Sequence, residues 1–372
     1  MGGPLAGVRV VEMAGLAPVP FGGMLLADLG AEVVRIDRAA AGAGGLTPPP
    51  GPLDRGKTRT VADLKNADDV RRVVELASRA DVFVEGYRPG VAERLGIGPD
   101  VLTAANPRLI YVRLTGWGQQ GPLADRAGHD IDYISLVGAL DLIGRPGQPP
   151  VPPGAFLGDL AGGGMLMALG VTSALYERER SGRGQVLDVA MVDGAALLTT
   201  FFHGLRAGGM WSGRRGENLI DGGRACYDCY QAADGKYVAV GALEPQFFAQ
   251  LIDILGIDAT DLPPYLDPAG TQAWRDVLSA AFANKPRDEW AEIFAETDAC
   301  VAPVLSPWEA HQHPHNRARN SYITVDDLIQ PAPAPRFSRT PAAHPEPIDS
   351  GELAALLDQW STPDPAVDGV DR

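Results

Sequence analysis

The chain has 372 residues, 45% of them hydrophobic and 21% charged, which is the composition of an ordinary globular protein with the length of about two domains. Its formal net charge of −15 argues against nucleic acid or an anionic membrane as a partner, because both attract a basic surface. Three cysteines are too few for a disulfide framework.

Residues 1–13 lack the basic region and the long apolar run of a secretory signal. No stretch reaches the roughly 18 apolar residues that a membrane span needs. We therefore expect a cytoplasmic protein. The C-terminal residues 369–372, Gly-Val-Asp-Arg, do not form a peroxisomal targeting signal.

The first third of the chain alternates short β-branched runs with helical stretches. Strands are predicted at 8–13, 31–37, 82–85 and 109–114, with helices at 20–29 and 67–79. This alternation is typical of parallel strands with helical crossovers, so we predict an α/β fold with a Rossmann-like doubly wound sheet. Ligands of such sheets bind at the carboxyl ends of the strands.

The middle of the chain predicts a helix at 161–180, a strand at 186–190 and a second helix at 192–206, and both helices are apolar enough to require burial. Two strand-like runs within 227–240, separated by Ala-Asp-Gly, indicate a hairpin. Amphipathic helices follow to residue 301, and a Pro-rich segment at 331–347 leads to a helix at 351–360. We predict a large Rossmann-like CoA-binding domain at 1–190, a linker helix at 191–222, a smaller α+β domain at 223–320 and a return segment at 321–372 that packs on the large domain.

Several common sites are not supported by the sequence. The turn after the first strand, residues 14–22, has no Gly-x-Gly-x-x-Gly, so Asp37 alone does not predict a dinucleotide site. Cys226 and Cys229 form a Cys-x-x-Cys, but residues three apart on a strand face opposite sides and no second pair follows. The histidines at 311–315 are interrupted by Pro314 and lack carboxylates at a metal-binding spacing. We predict no metal site.

Two short motifs carry titratable groups. Gly-His-Asp-Ile-Asp-Tyr at 128–133 follows the glycine-rich loop 115–122, and Gly-Asp at 158–159 precedes the helix at 161–180. As structural residues, His129 would be a buried, hydrogen-bonded histidine and Asp159 a helix N-cap. As chemical groups, His129 would carry a proton, and glycines after Asp159 would leave helix amides open to an enolate oxygen.

These motifs closely resemble those of the α-methylacyl-CoA racemases, which belong to the family III CoA transferases. The resemblance runs from residue 5 to about 340. It also rests on Arg-Val-Val-Glu at 9–12, Val-Val-Arg-Ile-Asp-Arg at 33–38, Ala-Asp-Leu-Lys at 62–65, Glu-Gly-Tyr-Arg-Pro-Gly at 85–90, Arg-Leu-Gly at 94–96, Gly-Ala-Leu-Glu-Pro-Gln-Phe at 241–247 and Pro-Arg-Phe-Ser at 335–338.

The resemblance implies an interlocked homodimer, an acyl-CoA thioester as substrate and no cofactor, since coenzyme A is part of the substrate. It assigns proton transfer to His129, Asp159 and Glu244. The CoA site that it implies is lined by Arg38, Ala62, Asp63, Leu64, Lys65, Gly86, Tyr87, Arg88, Arg94, Gly128, Asp130, Ile131, Asp132 and Tyr133.

Physical chemistry agrees with these roles. The α-proton beside a thioester is a weak acid, so its removal needs a positioned base and stabilisation of the enolate oxygen. Inversion needs a proton donor or acceptor on each face of the planar enolate. His129 and Asp159 would supply that pair, and Glu244 would orient His129 or exchange protons with it.

Two residues depart from the racemase pattern. Ala155 stands where an Asn often hydrogen-bonds the catalytic Asp, and Asp132 replaces an Asn beside His129. Two alternatives remain open at this stage. One is a CoA transferase in which Asp159 is the nucleophile that takes the acyl group. The other is a catalytically weak acyl-CoA-binding protein.

Overall fold

The computed structural model describes residues 2–38 and 51–361. The predicted return segment beyond residue 361 and the C-terminal tetrapeptide lie outside these residues. The strands are β1 (Arg9–Met13), β2 (Glu32–Arg38), β3 (Lys57–Ala62), β4 (Val82–Glu85), β5 (Ile110–Thr115), β6 (Val186–Ala190), β7 (Tyr227–Gln231), β8 (Tyr237–Gly241), β9 (Val301–Pro303), β10 (Tyr322–Val325), β11 (Leu328–Pro331) and β12 (Asp349–Ser350).

A π-helical segment, Phe156–Met165, leads directly into α6. The α-helices are α1 (Pro18–Asp28), α2 (Ala67–Ser78), α3 (Val91–Arg94), α4 (Pro99–Ala105), α5 (Asp130–Leu136), α6 (Leu166–Ser181), α7 (Met191–Leu198), α8 (Thr200–Ala207), α9 (Pro245–Leu255), α10 (Thr271–Phe282), α11 (Arg287–Phe294), α12 (Pro314–Ala318) and α13 (Leu353–Ser361).

Seven parallel strands form the central sheet in the order β12-β3-β2-β1-β4-β5-β6. Hydrophobic clusters cover both faces: α2 and α13 pack on one, α1 and α6 on the other. Burial on both faces explains why the central strands β1, β4 and β5 are largely apolar. The predicted α/β fold with a parallel, doubly wound sheet is confirmed.

Strand β3 was absent from the predicted elements. It begins with Lys57, whose charge is atypical of a buried strand. In the structure the side chains of Lys57 and Glu12 are both fully buried, and Lys57 Nζ lies 2.8 Å from Glu12 Oε2. Because the lysine charge has a partner from β1, the strand can lie inside the sheet. Strand β12, two residues long, was also missed; it pairs with the outer edge of β3.

The chain divides into two compact units. Of the described residues, the first unit comprises 2–38, 51–137, 154–198 and 317–361, and the second comprises 138–153 and 199–316. These bounds differ from the predicted ones in two places. Residues 138–153 were predicted in the large domain but belong to the second unit, and the predicted linker helix at 191–222 is divided between the units after residue 198. That helix is two helices, α7 and α8. Helix α7 belongs to the first unit because Gly194 packs on Gly162, so closely that a Cβ on Gly194 would collide with the Gly162 carbonyl.

The second unit is a small α+β structure. Its antiparallel sheet has the order β7-β8-β9, and the predicted hairpin is confirmed by the pairing of β7 with β8. Residues 232–236 form the turn, with Gly235 at a positive φ of 78°. The side chains of Trp274, Phe282 and Trp290 from α10 and α11 pack against this sheet.

The expectation that the two long apolar helices are buried was wrong for one face. Met165, Leu169 and Tyr176 are 54%, 61% and 72% exposed, whereas Met167 and Val171 are buried against the sheet. By length and composition, the helix Phe156–Ser181 could also cross a membrane, contrary to the sequence-based expectation. Its packing on the sheet through one face is typical of a core helix in an α/β fold.

Candidate active site

A cleft of about 300 Å³ lies in the first unit, where β1, β4 and β5 end. The order of strands reverses between β1 and β4, and such a switch point is where open α/β sheets bind ligands. The cleft is lined by Leu16, Pro18, Val19, Gly86, Tyr87, Arg88, Pro89, Leu114, Thr115, Gly116, Trp117, Ala124, Arg126, Ala127, Gly128, His129, Tyr133 and Met191.

His129 occupies the N-cap position of α5 and borders this cleft. Its main-chain amide donates to Asp132 Oδ2 at 2.9 Å, so Asp132 caps the same helix end. The interpretation of His129 as a buried histidine was wrong, because the residue is exposed. An exposed imidazole at a cleft wall is accessible to a bound molecule, and Asp132 contacts its backbone.

Asp159 lies inside the π-helical segment Phe156–Met165 and is half-buried. Both sequence-based interpretations of its surroundings were wrong. Asp159 is not an N-cap, since the segment begins three residues earlier. The glycines that follow do not open amides to a ligand either. Gly162 packs on α7 and Gly164 packs on α1, so these glycines permit close approach of helices.

The first amides of this segment are occupied by Asp130 instead. Asp130 Oδ1 accepts hydrogen bonds from Gly158 N at 2.6 Å and from Asp159 N at 2.8 Å. Burial raises the pKa of Asp159 to about 6; the Asp130 charge adds to this rise and His129 opposes it. The pKa of the Asp159 carboxyl is therefore closer to neutral pH than that of an ordinary aspartate.

Tyr133 connects α5, which begins with Asp130, to the glycine-rich loop 115–122. Its hydroxyl donates to Gly128 O at 2.5 Å, and its ring packs edge-on against Trp117 at 4.8 Å between centroids. Burial raises the pKa of Tyr133 to about 12, with the Asp159 charge as the next cause. A Cβ on Gly116 would collide with the Tyr133 ring, which explains the glycine there.

The remaining predicted CoA residues of the first unit follow the ends of neighbouring strands. Arg38 ends β2 and pairs in register with Ala62, the buried last residue of β3. The Arg38 guanidinium lies 5.7 Å from the Tyr87 ring centroid. Gly86, Tyr87 and Arg88 follow β4. Of the other members of the set, Leu64 is half-buried. The remaining ones are exposed: Asp63 and Lys65 after β3, Arg94 on α3 and Ile131 on α5.

Glu244 lies in the second unit, at the N-cap of α9. Its carbonyl accepts from Phe247 N and Phe248 N, each at 3.0 Å, and the residue is exposed. Burial raises the pKa of the Cys300 thiol, and the Glu244 charge contributes to that rise. The Glu244 carboxylate therefore lies within electrostatic range of Cys300.

The structure also accounts for residues that were weighed and set aside. Asp37 is buried, and its carboxylate forms ion pairs with Arg35 and Arg59 of the same chain. It is therefore engaged within the protein. Cys226 is buried and Cys229 exposed, which agrees with opposite-facing positions. Within residues 2–38 and 51–361, no group of three or more His, Cys, Asp or Glu side chains could hold a metal ion.

Twelve of the eighteen cleft residues were not predicted as site residues, among them Trp117, Arg126 and Met191. Trp117 lies in the glycine-rich loop 115–122, whose position before the His129 motif was a usable signal. Arg126 lies three residues before His129, and it is the second arginine of the cleft lining, with Arg88. Met191 begins α7, far from these motifs in sequence, so only the folded chain identifies it.

Comparison with known proteins agrees with the resemblance found in the sequence. Residues 5–349 match CoA-transferase family III. The chain is 48% identical to α-methylacyl-CoA racemase of Mus musculus and 44% identical to that of Homo sapiens, over 91% of this chain and 87% of each relative. It is 32% identical to acetyl-CoA:oxalate CoA-transferase of Acetobacter aceti over 97% of both chains. A solved CAIB/BAIF family protein from Brucella suis superimposes with a TM-score of 0.83 at 26% identity, covering 97% of this chain and 100% of that one. The predicted resemblance is confirmed, and this chain belongs to CoA-transferase family III.

Proposed function

We propose that this chain is an isomerase, a racemase that interconverts (R)- and (S)-2-methylacyl-CoA thioesters. One observation carries the proposal: His129 lines the cleft, and its neighbour Asp130 accepts a hydrogen bond from the main-chain amide of Asp159, so the fold links an imidazole to a carboxyl. The 48% identity to the mouse α-methylacyl-CoA racemase supports the same reaction.

In the proposed reaction, a proton is removed from the α-carbon of the thioester and a proton is returned to the same carbon. One group removes the α-proton from one face of the substrate, giving a planar enolate, and the other returns a proton to the opposite face. We assign His129 to one face and Asp159 to the other. Because the pKa of Asp159 is about 6, both its protonated and ionised forms are populated near neutral pH, as a residue that acts as acid and base requires.

The phosphates of coenzyme A explain the local cations of an otherwise acidic chain. With a net charge of −15, the protein needs a concentrated positive region to attract a polyanionic substrate. The cations that we assign to this region lie at the ends of β2, β3 and β4 and on the short helix α3. We propose that the phosphates bind there, on Arg38, Lys65, Arg88 and Arg94.

Incubation of (S)-2-methylacyl-CoA with the enzyme in D2O tests the proposal. Proton NMR should show loss of the α-proton signal, and the stereocentre should scramble without an added acyl acceptor. The relationship to an acetyl-CoA:oxalate CoA-transferase defines the competing outcome. Transfer of CoA to a carboxylic acid, without α-proton exchange, would assign Asp159 as the nucleophile of a CoA transferase. Binding of the thioester with neither reaction would indicate an acyl-CoA-binding protein.

We further propose that the chain forms an interlocked homodimer in which Glu244 of the partner subunit completes the site of His129 and Asp159. The exposed apolar side chains Met165, Leu169 and Tyr176 support a subunit contact, because a face of this kind is unfavourable in water. Sedimentation equilibrium should give twice the 39.2 kDa chain mass. A single-chain mass at micromolar concentration would contradict this.

Independence from cofactors and a cytoplasmic location are part of the same proposal. Proton transfer between a histidine, a carboxyl and carbon needs no redox group. Activity that survives dialysis against a metal chelator, with no added nucleotide, would support cofactor independence. Fractionation of the source cells tests the location.

A further inference from the structure

Asp130 differs from the other residues predicted to line the CoA site. It is 8% exposed, and one of its oxygens, Oδ1, accepts from both Gly158 N and Asp159 N. The first turn of any helix leaves such amides without a partner in the helix. In the π-helical segment, the i to i+5 pattern starts with Leu160 N bonded to Ala155 O. The Asp130 carboxylate therefore caps the segment that carries Asp159.

Asp130 is also joined to the second proton-transfer residue, since His129 precedes it in the chain. Asp130 is bonded through its main chain to His129, the N-cap of α5. Its side-chain carboxylate accepts a hydrogen bond from the main-chain amide of Asp159. We propose that Asp130 is a positioning residue that fixes the separation of His129 and Asp159, rather than a contact to coenzyme A. This inference rests on the proposed proton-transfer function of those two residues.

The charge of Asp130 has a separate effect. The pKa of Asp159 is raised first by burial and next by the Asp130 charge, and His129 lowers it. The elements that pack on the π-helical segment carry further titratable groups. These are Asp132 and Tyr133 on α5, Asp193 on α7, Asp188 on β6, Asp28 at the far end of α1, and Tyr176, Glu177, Arg178, Glu179 and Arg180 towards the C-terminal end of α6. Removing the Asp130 charge should therefore lower the pKa of Asp159.

Two substitutions separate these effects. Asp130→Asn keeps an acceptor oxygen with two lone pairs, so both amides remain bonded, but it removes the charge. Asp130→Ala removes the acceptor and frees Asp159. Asp100→Asn is the matched control, because Asp100 is an exposed acid in the first turn of α4, outside the cleft. The pH dependence of kcat and KM would be measured for each variant with both enantiomers.

Asp130→Asn should lower kcat less than Asp130→Ala does, because both amides keep an acceptor. The acid limb of the enantiomer that uses Asp159 as base should move to lower pH by about one pH unit. Asp130→Ala should lose about 100-fold in kcat with KM little changed, as expected for misplaced catalytic groups. Asp100→Asn should leave the profile unchanged.

Two results would overturn the inference. One is a raised KM at constant kcat in Asp130→Ala, which would identify Asp130 as a coenzyme A contact. The other is a wild-type kcat in Asp130→Ala, which would show that the hydrogen bonds from Asp130 to Gly158 N and Asp159 N do not position the reacting groups. If the alanine variant does not fold, a raised KM at constant kcat in Asp130→Asn would overturn the inference instead. A wild-type enzyme that shows no α-proton exchange would refute the proposed function itself, so the two failures are distinguishable.

Discussion

Gly158 lies directly against the carboxylate of Asp130: a Cβ atom built on Gly158 would be 2.7 Å from Asp130 Oδ1. Gly158→Ala should therefore displace the carboxylate that caps the π-helical segment and lower kcat by about 10–100-fold. Gly170→Ala is the control, because its Cβ would meet only Leu187 Cδ1, at 3.5 Å. Steady-state racemisation measures both variants. Equal activity in the two would contradict a close fit at Gly158.

Asp159→Asn and His129→Ala should each abolish racemisation while leaving the binding of a 2-methylacyl-CoA thioester largely intact. The reason is that the proposed phosphate anchors lie on different elements from the reacting residues: Arg38 ends β2 and Arg88 follows β4. Isothermal titration calorimetry measures the binding. If both variants lose binding altogether, the division between reacting residues and anchoring residues is wrong.

Asp159→Asn should also stabilise the fold above pH 6. A carboxyl whose pKa is raised from 3.8 to about 6 favours the folded state below the lower value and loses that contribution as pH rises through the upper one. One pKa unit is worth about 1.4 kcal/mol, and solvent screening of this half-buried carboxyl should keep the gain in unfolding free energy at pH 8 to about 1–2 kcal/mol. Urea unfolding at pH 8 and pH 4 measures it. A gain of equal size at pH 4 would rule out this linkage.

Lys57→Met should destabilise the first unit by about 3–5 kcal/mol, because it leaves the fully buried Glu12 without its cation. Replacing both residues, as Glu12→Leu with Lys57→Met, should recover much of the loss. Lys236→Met is the control: this lysine is 48% exposed at its side chain and should cost no more than about 0.5 kcal/mol. Thermal unfolding would measure all three, and a single variant as stable as the wild type would argue against a structural role of the pair.

Co-expression of His129→Ala and Glu244→Ala chains with different tags tests shared active sites. If His129 meets Glu244 of the partner subunit, the purified heterodimer has one site with both defects and one with none. About half of the wild-type activity should then return. An inactive heterodimer, made of separately folded chains, would place the two residues in one chain.

The sequence predicted the parallel sheet because β-branched runs alternate with helices, a local pattern that burial on both faces requires. It did not predict β3, because Lys57 is compatible with a buried strand only when Glu12 is present, 45 residues away. The surroundings of Asp159 were misread for a similar reason. Glycines at 162–164 indicate either open amides or close packing, and only the positions of α1 and α7 decide between the two.

His129 and Asp159 were found through their motifs, and the cleft residues Gly86 to Arg88 follow a predicted strand end. The bond from Asp130 to Gly158 and Asp159 joins residues 28 and 29 positions apart, so no local pattern reveals it. Glu244 was assigned by resemblance alone. Its position at the start of α9, after a strand of the second unit, carries no sequence signal for proton transfer.

Because β12 lies late in the chain, the outer edge of β3 stays unpaired during most of translation. Strand β3 emerges from the ribosome early, but its outer neighbour, Asp349–Ser350, is nearly the last part of the described chain to be made. At translation rates of about 5–20 residues per second, this sheet edge stays open on the order of tens of seconds, while the whole second unit is synthesised. An open edge can pair with another nascent chain. Aggregation in a series of C-terminal truncations should therefore fall sharply once the chain extends past residue 361, the end of α13.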